Sequence, residues 1–247
     1  MKKITAIIQA RMGSTRLPKK VLSDIVGKPM LWHVIDRVKK SKLIDEIILA
    51  TTTNKDDIEI VSFAKDNNIL FFQGSEENVL DRYYQTAIKH DAKDIVRITA
   101  DDPLKDPEII DKVIKTYLEN DADYVSNTIE PTFPLGLDVE VFSFSALDKA
   151  WKKAVEKFEK EHVTPYIYTN PDKFKLINVK NEGENLYHHR WTVDTKEDLE
   201  FTRKIFNKLY EEGKIFLMKD ILELVKSNPN IRKINENIKS KNIFSEV

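Results

Sequence analysis

The feature that most constrains this chain is an alternation of short apolar runs with amphipathic stretches over its first hundred residues. Ile4–Gln9 is a short apolar run and reads as a buried strand. Met30, Leu31, Val34, Ile35 and Val38 then recur at i, i+1, i+4, i+5 and i+8, the spacing of a helix that packs one face. Glu46–Thr52 reads as a second strand, residues 56–68 as a helix and Leu70–Gln73 as a third strand. A helix from Asn78 buries Val79, Leu80, Tyr83, Tyr84, Ala87 and Ile88, with Asp81 and Arg82 facing away from this stripe, to pair with neighbouring side chains or to reach the site. Ile95–Thr99 is a fourth strand and runs into Ala100-Asp101-Asp102-Pro103. This rhythm predicts an α/β fold with a mostly parallel central sheet flanked by helices. Ligands in such sheets bind beyond the carboxyl ends of the strands.

From about Glu130 the rhythm changes. Pro131, Pro134 and Gly136 precede an alternating strand, and helices are expected near 144–157 and 161–169. Phe174–Val179 and His188–Asp194 read as further strands, and 195–211 and 218–227 as helices. The tail from Ser227, rich in Asn, Lys and Ile, reads as weakly ordered or as a partner-contact segment. With no internal repeat or clear linker, all 247 residues read as one domain with an inserted acceptor-side region at about 130–190.

The first strand opens into IIQARMGSTRLPKKVL, residues 7–22, where Arg11, Arg16, Lys19 and Lys20 are spaced by Gly13, Ser14, Thr15 and Pro18. The whole chain carries 40 basic and 41 acidic residues, so no global field holds nucleic acid or an anionic membrane. The positive charge is local. A Gly/Ser/Thr loop between a strand and a helix lets backbone N–H groups and hydroxyls approach phosphate, and four cations match a triphosphate. The pattern is neither a P-loop nor a dinucleotide fingerprint, and a solvated basic turn is the plainer alternative. The absence of cysteine excludes disulfides, thiolate catalysis and Cys-ligated zinc. The N-terminal apolar run is too short for a signal-peptide core or a membrane span, so a soluble cytoplasmic protein is expected.

The opening segment closely resembles that of cytidylyltransferases of the spore-coat polysaccharide biosynthesis type, relatives of CMP-3-deoxy-manno-octulosonate and CMP-sialate synthetases. GSEENVLDRYY, VRITADDPLKDPEIID, FPLGLDVEVFS, EHVTPYIYTNP and RWTVDTKEDLEF resemble the family's segments in the family's order. The resemblance implies a Rossmann-like nucleotidyltransferase fold, CTP as donor, Mg²⁺ as cofactor, pyrophosphate release and a homodimer through the inserted region. It places Arg11, Ser14, Arg16 and Lys20 on the triphosphate and Ser75 and Asn78 near the pyrimidine. The family usually has Gly where this chain has Lys19, and a glycine there permits a positive φ.

Asp101 ends the fourth strand and Asp194 ends another, so the two can meet at one edge of the crevice. Mg²⁺ takes a few hard oxygens and keeps waters, and two carboxylates with an α-phosphate meet that need. The resemblance supports Asp101 and Asp194 as metal ligands and ranks Asp102, where the family often has Cys, second. Asp-Asp-Pro also suits a helix N-cap, and Asp194 with Glu197 has capping-box spacing. Ser75 or Glu77 can likewise cap the helix from Asn78. On the acceptor side the candidates are His162, His189 and Arg190. Arg190 suits bidentate binding of an acidic or phosphorylated acceptor, or an ion pair with Asp194 or Glu197.

The mechanism expected is in-line attack of an acceptor oxygen on the α-phosphate of CTP. Lys20 and Arg16 neutralise developing charge, and Arg11 holds the β/γ end. The rival readings are a nucleotide-sugar-dependent glycosyltransferase of similar fold and a non-catalytic nucleotide-binding protein.

Overall fold

A computed structural model describes residues 2–238. In chain order the elements begin with β1 (Ile4–Gln9), a 3-10 turn (Lys20–Leu22), the two-residue strands β2 (Asp24–Ile25) and β3 (Lys28–Pro29), and α1 (Met30–Lys39). Then come β4 (Glu46–Thr52), α2 (Ile58–Asp66), β5 (Leu70–Gly74), α3 (Val79–Lys89), β6 (Asp94–Thr99) and α4 (Pro107–Asn120). The second half holds β7 (Tyr124–Ser126), β8 (Glu140–Ser143), α5 (Phe144–Lys153), α6 (Lys157–His162), α7 (Pro165–Tyr168) and β9 (Leu176–Asn178). It closes with α8 (Lys196–Leu209), α9 (Met218–Ser227) and α10 (Pro229–Arg232).

Seven strands form one sheet in the order β5-β4-β1-β6-β8-β7-β9. β5, β4, β1 and β6 run parallel, whereas β8 is antiparallel to both its neighbours. The mostly parallel sheet expected from the alternation is therefore present. β1 is an interior strand and is covered on both faces, which is why its run is apolar without alternation. Ile4, Ala6 and Ile8 pack with α1, α4 and α8 on one face. Ile7 packs with α3, α5 and α7 on the other. Among the described residues no helix is long and apolar enough to cross a membrane.

Several expectations fail for identifiable reasons. The sequence reading passed over α4 and β7, although Asp106 caps α4 through the Glu108 N–H and Pro107 occupies its first turn. The 174–179 strand shrinks to Leu176–Asn178. The 144–157 helix stops at Lys153 and 161–169 divides between α6 and α7, with Val163 at φ 73° between them. His188–Asp194 is not a strand, and pairs only through a single bridge from Arg190 to Leu135. Its buried residues are covered by the 133–137 loop instead. That loop lies so close that a Cβ on Gly136 would come within 2.7 Å of the Thr192 nitrogen. Of the two tail readings, weak order fails for 227–238, where α10 and a buried Asn235 pack onto the fold; the rest of the tail lies outside the described residues.

Candidate active site

The basic loop follows the carboxyl end of β1, as the topology requires. Met12 and Leu17 are buried and anchor it from below. The Met12 N–H donates to the buried Asp57 carboxylate at 2.7 Å, and the Met12 carbonyl accepts from Ser14 and Lys19 N–H. Lys19 stands at φ 59°, ψ 18°, the left-handed conformation that glycine adopts most readily. The loop thus keeps the backbone turn without the glycine. The Lys19 charge, however, pairs with Glu59 on α2 at 2.7 Å and does not line the crevice.

Arg11, Ser14, Arg16 and Lys20 do line it, in a cavity of about 340 Å³ with Gln9, Arg82, Arg97, Thr99, Asp101, Glu161, His162 and Asp194. Lys20 is the centre of this arrangement. Its Nζ donates to Asp101 Oδ2 at 2.8 Å, Asp194 Oδ1 at 2.9 Å and the Val193 carbonyl at 2.8 Å. All three ammonium protons are thereby used. Burial alone lowers the Lys20 pKa, but Asp101 and Asp194 outweigh it and the net shift is upward. Burial likewise opposes ionisation of Asp194, and Lys20, Arg16 and Arg190 reverse that, leaving its pKa below the usual range.

Asp194 reaches the crevice through a chain of ionic contacts. Its Oδ2 accepts from Arg16 and Arg190, each at 2.9 Å. Arg190 is buried, and its Nε and Nη2 clamp the two oxygens of Asp198 at 2.9 and 3.0 Å. Asn235 in the tail donates to Asp198 Oδ1 at 3.0 Å and to the Arg190 carbonyl at 2.9 Å. Arg190 therefore holds Asp194 in place and does not line the cavity. The capping box of α8 is Thr195 with Asp198, not Asp194 with Glu197, so both Asp194 oxygens are left to cations. Neither Asp198 nor Asn235 was singled out in the sequence. The Thr195-x-x-Asp198 spacing was the available signal for the first; nothing local marks the second.

The other candidates are scattered. His162 lines the crevice, but His189 lies outside it against His188 and Trp191, its pKa pushed down to about 4 by burial and then by His188 and Arg232. Ser75 Oγ accepts from the Asn78 N–H, and Asn78 Oδ1 accepts from the Asp81 N–H, so both side chains cap α3. Ser75 lies outside the crevice, and Asn78 borders an adjoining groove. Arg82, expected to face away from the apolar stripe and to pair with neighbours or reach the site, is buried, lines the crevice and donates from Nη1 to the Ser75 carbonyl. Asp102 turns away from the crevice and is buried on Lys105 and Thr99.

A divalent cation is compatible with the donor set. Two carboxylate oxygens and a carbonyl already converge on one cation, the Lys20 ammonium. Among the described residues no cluster of three or more His, Asp or Glu could hold a metal. Substrate oxygens and water would have to complete the shell, as Mg²⁺ prefers.

Comparisons with known proteins agree with this geometry. The family described as cytidylyltransferase matches residues 5–226. An uncharacterized protein of Methanocaldococcus jannaschii, MJ1063, is 42% identical over 247 residues, covering 97% of each chain. The spore coat polysaccharide biosynthesis protein SpsF of Bacillus subtilis is 33% identical, over 93% of this chain and 97% of its own. The solved structure of a cytidylyltransferase from Leptospira borgpetersenii superposes with a TM-score of 0.89 at 32% identity, covering 98% of this chain and all of that one. The Rossmann-like nucleotidyltransferase fold, the cation-lined crevice at its strand ends and these matches lead to one assignment: the chain belongs to the cytidylyltransferase family, enzymes that transfer CMP from CTP.

Proposed function

We propose that this enzyme transfers CMP from CTP to an acidic sugar or small phosphorylated acceptor, with Mg²⁺, releasing pyrophosphate, for surface polysaccharide or glycan biosynthesis. The observation that carries the reading is the convergence of Lys20, Asp101 and Asp194 beneath a loop bearing Arg11 and Arg16. Arg11 makes no ion pair among the described residues and is available to the β/γ end of the triphosphate. Arg16 and Lys20 sit nearest the carboxylates, where negative charge develops as pyrophosphate departs. Asp101 and Asp194 would hold the metal, which when bound polarises the α-phosphate and lowers the pKa of the attacking hydroxyl. Lys20 would then exchange a carboxylate for a phosphate oxygen and stay within the crevice.

The polysaccharide setting is supported by the name of the Bacillus relative. A cytoplasmic homodimer belongs to the same reading and rests on the family resemblance; equilibrium sedimentation checks the dimer. Against the glycosyltransferase alternative, the strand end at the crevice carries Asp101-Asp102-Pro103 in place of a D-x-D pair, and Asp102 is buried on Lys105. Calorimetric titration with each nucleoside triphosphate, and with UDP and GDP, with and without Mg²⁺, tests the reading. Tight Mg²⁺-dependent binding of CTP alone is expected. Preference for a nucleoside diphosphate, or indifference to CTP, would sink it.

A further inference from the structure

The crevice floor carries a cation used by neither the basic loop nor the carboxylate pair. Arg97 lies on β6, on the same face as Ile95 and Thr99, and lines the cavity beside Gln9, Thr99 and His162. Its side chain is 13% exposed. A guanidinium offers five donors in a rigid planar fork. Here Nε donates to Gln9 Oε1 at 3.2 Å and Nη1 donates to Glu140 Oε1. Nη2 has no acceptor among the described residues, and it is not one of the polar atoms sealed away without a partner. The fork's remaining edge therefore opens on the crevice.

Its orientation is fixed from behind. Glu140 Oε2 accepts from the Tyr124 hydroxyl at 3.0 Å and the Thr164 hydroxyl at 2.5 Å, so this carboxylate cannot follow Arg97 if it turns. Swinging the guanidinium away would strand a buried charge. An ion pair with Glu140 alone needs one edge of the fork. A second edge left open is what a bidentate oxyanion requires.

Position identifies the ligand. Lys20, Asp101 and Asp194 mark the α-phosphate end, and the triphosphate has Arg11, Arg16 and Lys20 for itself. Arg97 lies two residues, about 6.6 Å of strand, below Thr99 and away from the basic loop. We infer that Arg97 anchors the anionic group of the acceptor, a carboxylate or a phosphate, and so selects charged acceptors over neutral ones. The inference rests on the crevice being the CTP site.

The test uses the full chain with CTP and Mg²⁺, reading pyrophosphate release with 3-deoxy-manno-octulosonate, glucose 6-phosphate and mannose as acceptor probes. CTP affinity is measured in parallel by calorimetry. An anionic probe should be used and mannose refused, and which anion is used separates carboxylate from phosphate. Arg97→Met should raise the acceptor KM by about 30-fold or more, with a smaller change in kcat and CTP affinity within about twofold. Arg97→Lys, which keeps charge but loses the fork, should recover part of that loss. If removing Arg97 alone prevents folding, Arg97→Met with Glu140→Gln removes the pair together and should give the same KM effect. An unchanged acceptor KM, equal use of mannose, no release with either anionic probe, or a large loss of CTP affinity in Arg97→Met would overturn the inference. Failure of the unaltered enzyme to bind CTP would fall instead on the functional reading beneath it.

Discussion

Asp101 and Asp102 are adjacent in the chain and opposite in circumstance. Asp101 is 31% exposed, faces the crevice and shares Lys20 with Asp194. Asp102 is 4% exposed, with Lys105 Nζ at 2.8 Å and the Thr99 hydroxyl at 2.6 Å. Lys105 also donates to the Asp138 carbonyl at 2.5 Å, tying the end of β6 to the segment before β8. Each aspartate has its own lysine, and only one of the two ion pairs is open to substrate. An Asp-Asp pair at a strand end is thus no single motif. One carboxylate is set out for chemistry, and the next secures the turn that presents it.

That contrast breaks most visibly by neutralising each carboxylate in turn. Asp101→Asn should cut CMP transfer by about 10³ with little change in melting temperature, since Lys20 keeps Asp194. Asp102→Asn should do the reverse. It leaves Lys105 buried without its counter-charge and should cost about 3–5 kcal/mol in denaturant unfolding, with turnover per folded molecule far less affected. If Asp102→Asn proves as inactive as Asp101→Asn while equally stable, the division of labour is wrong.

Smaller effects sharpen the comparison from its edges. Asn235→Ala removes two buried hydrogen bonds behind Arg190 and should cost about 1–3 kcal/mol. By loosening Asp194 it should also weaken Mn²⁺ binding in the presence of CTP, read by electron paramagnetic resonance. A pH signature comes from Asp138, whose carboxyl burial pushes up to about 7, against the pull of Lys105 and with the push of Asp102. Between an unfolded value of about 3.9 and about 7 the folded state binds the extra proton, so this group lowers stability as pH rises through that window. Asp138→Asn should flatten that decline in denaturant melts. The smallest effect is expected of Lys19→Gly, which relieves the left-handed backbone at the loss of an exposed pair with Glu59. Turnover and melting temperature should stay near their starting values; a large fall in CTP affinity would mean that Lys19 serves the crevice after all.

Much of this architecture was legible because periodicity and topology are local signals. The apolar runs of β1, β4 and β6 and the helical stripes of α1 and α3 placed the loop and Asp101 at strand carboxyl ends; that β1 and β6 lie side by side is a pairing between distant segments. The illegible parts depend on distant contacts. Trp191 and Val193 alternate like strand residues, yet their burial comes from the 133–137 loop and the core beneath it. Arg190 had the chemistry of an acceptor ligand or of an ion pair with Asp194; the pair forms, but its reinforcement by Asp198 and by Asn235, eight and 45 residues away, was not legible. Arg97 was hidden by its company, a single cation inside the apolar run IVRIT that otherwise reads as core.

The tail contact has a practical edge. The family match ends at residue 226, and Asn235 lies nine residues past it. A fragment cut to the recognised borders would keep every cation and carboxylate of the crevice and still lose the side chain behind Arg190. Such a fragment would also lose α10 and the core residue Ile231, so poor turnover in it would say nothing about the choice of sugar.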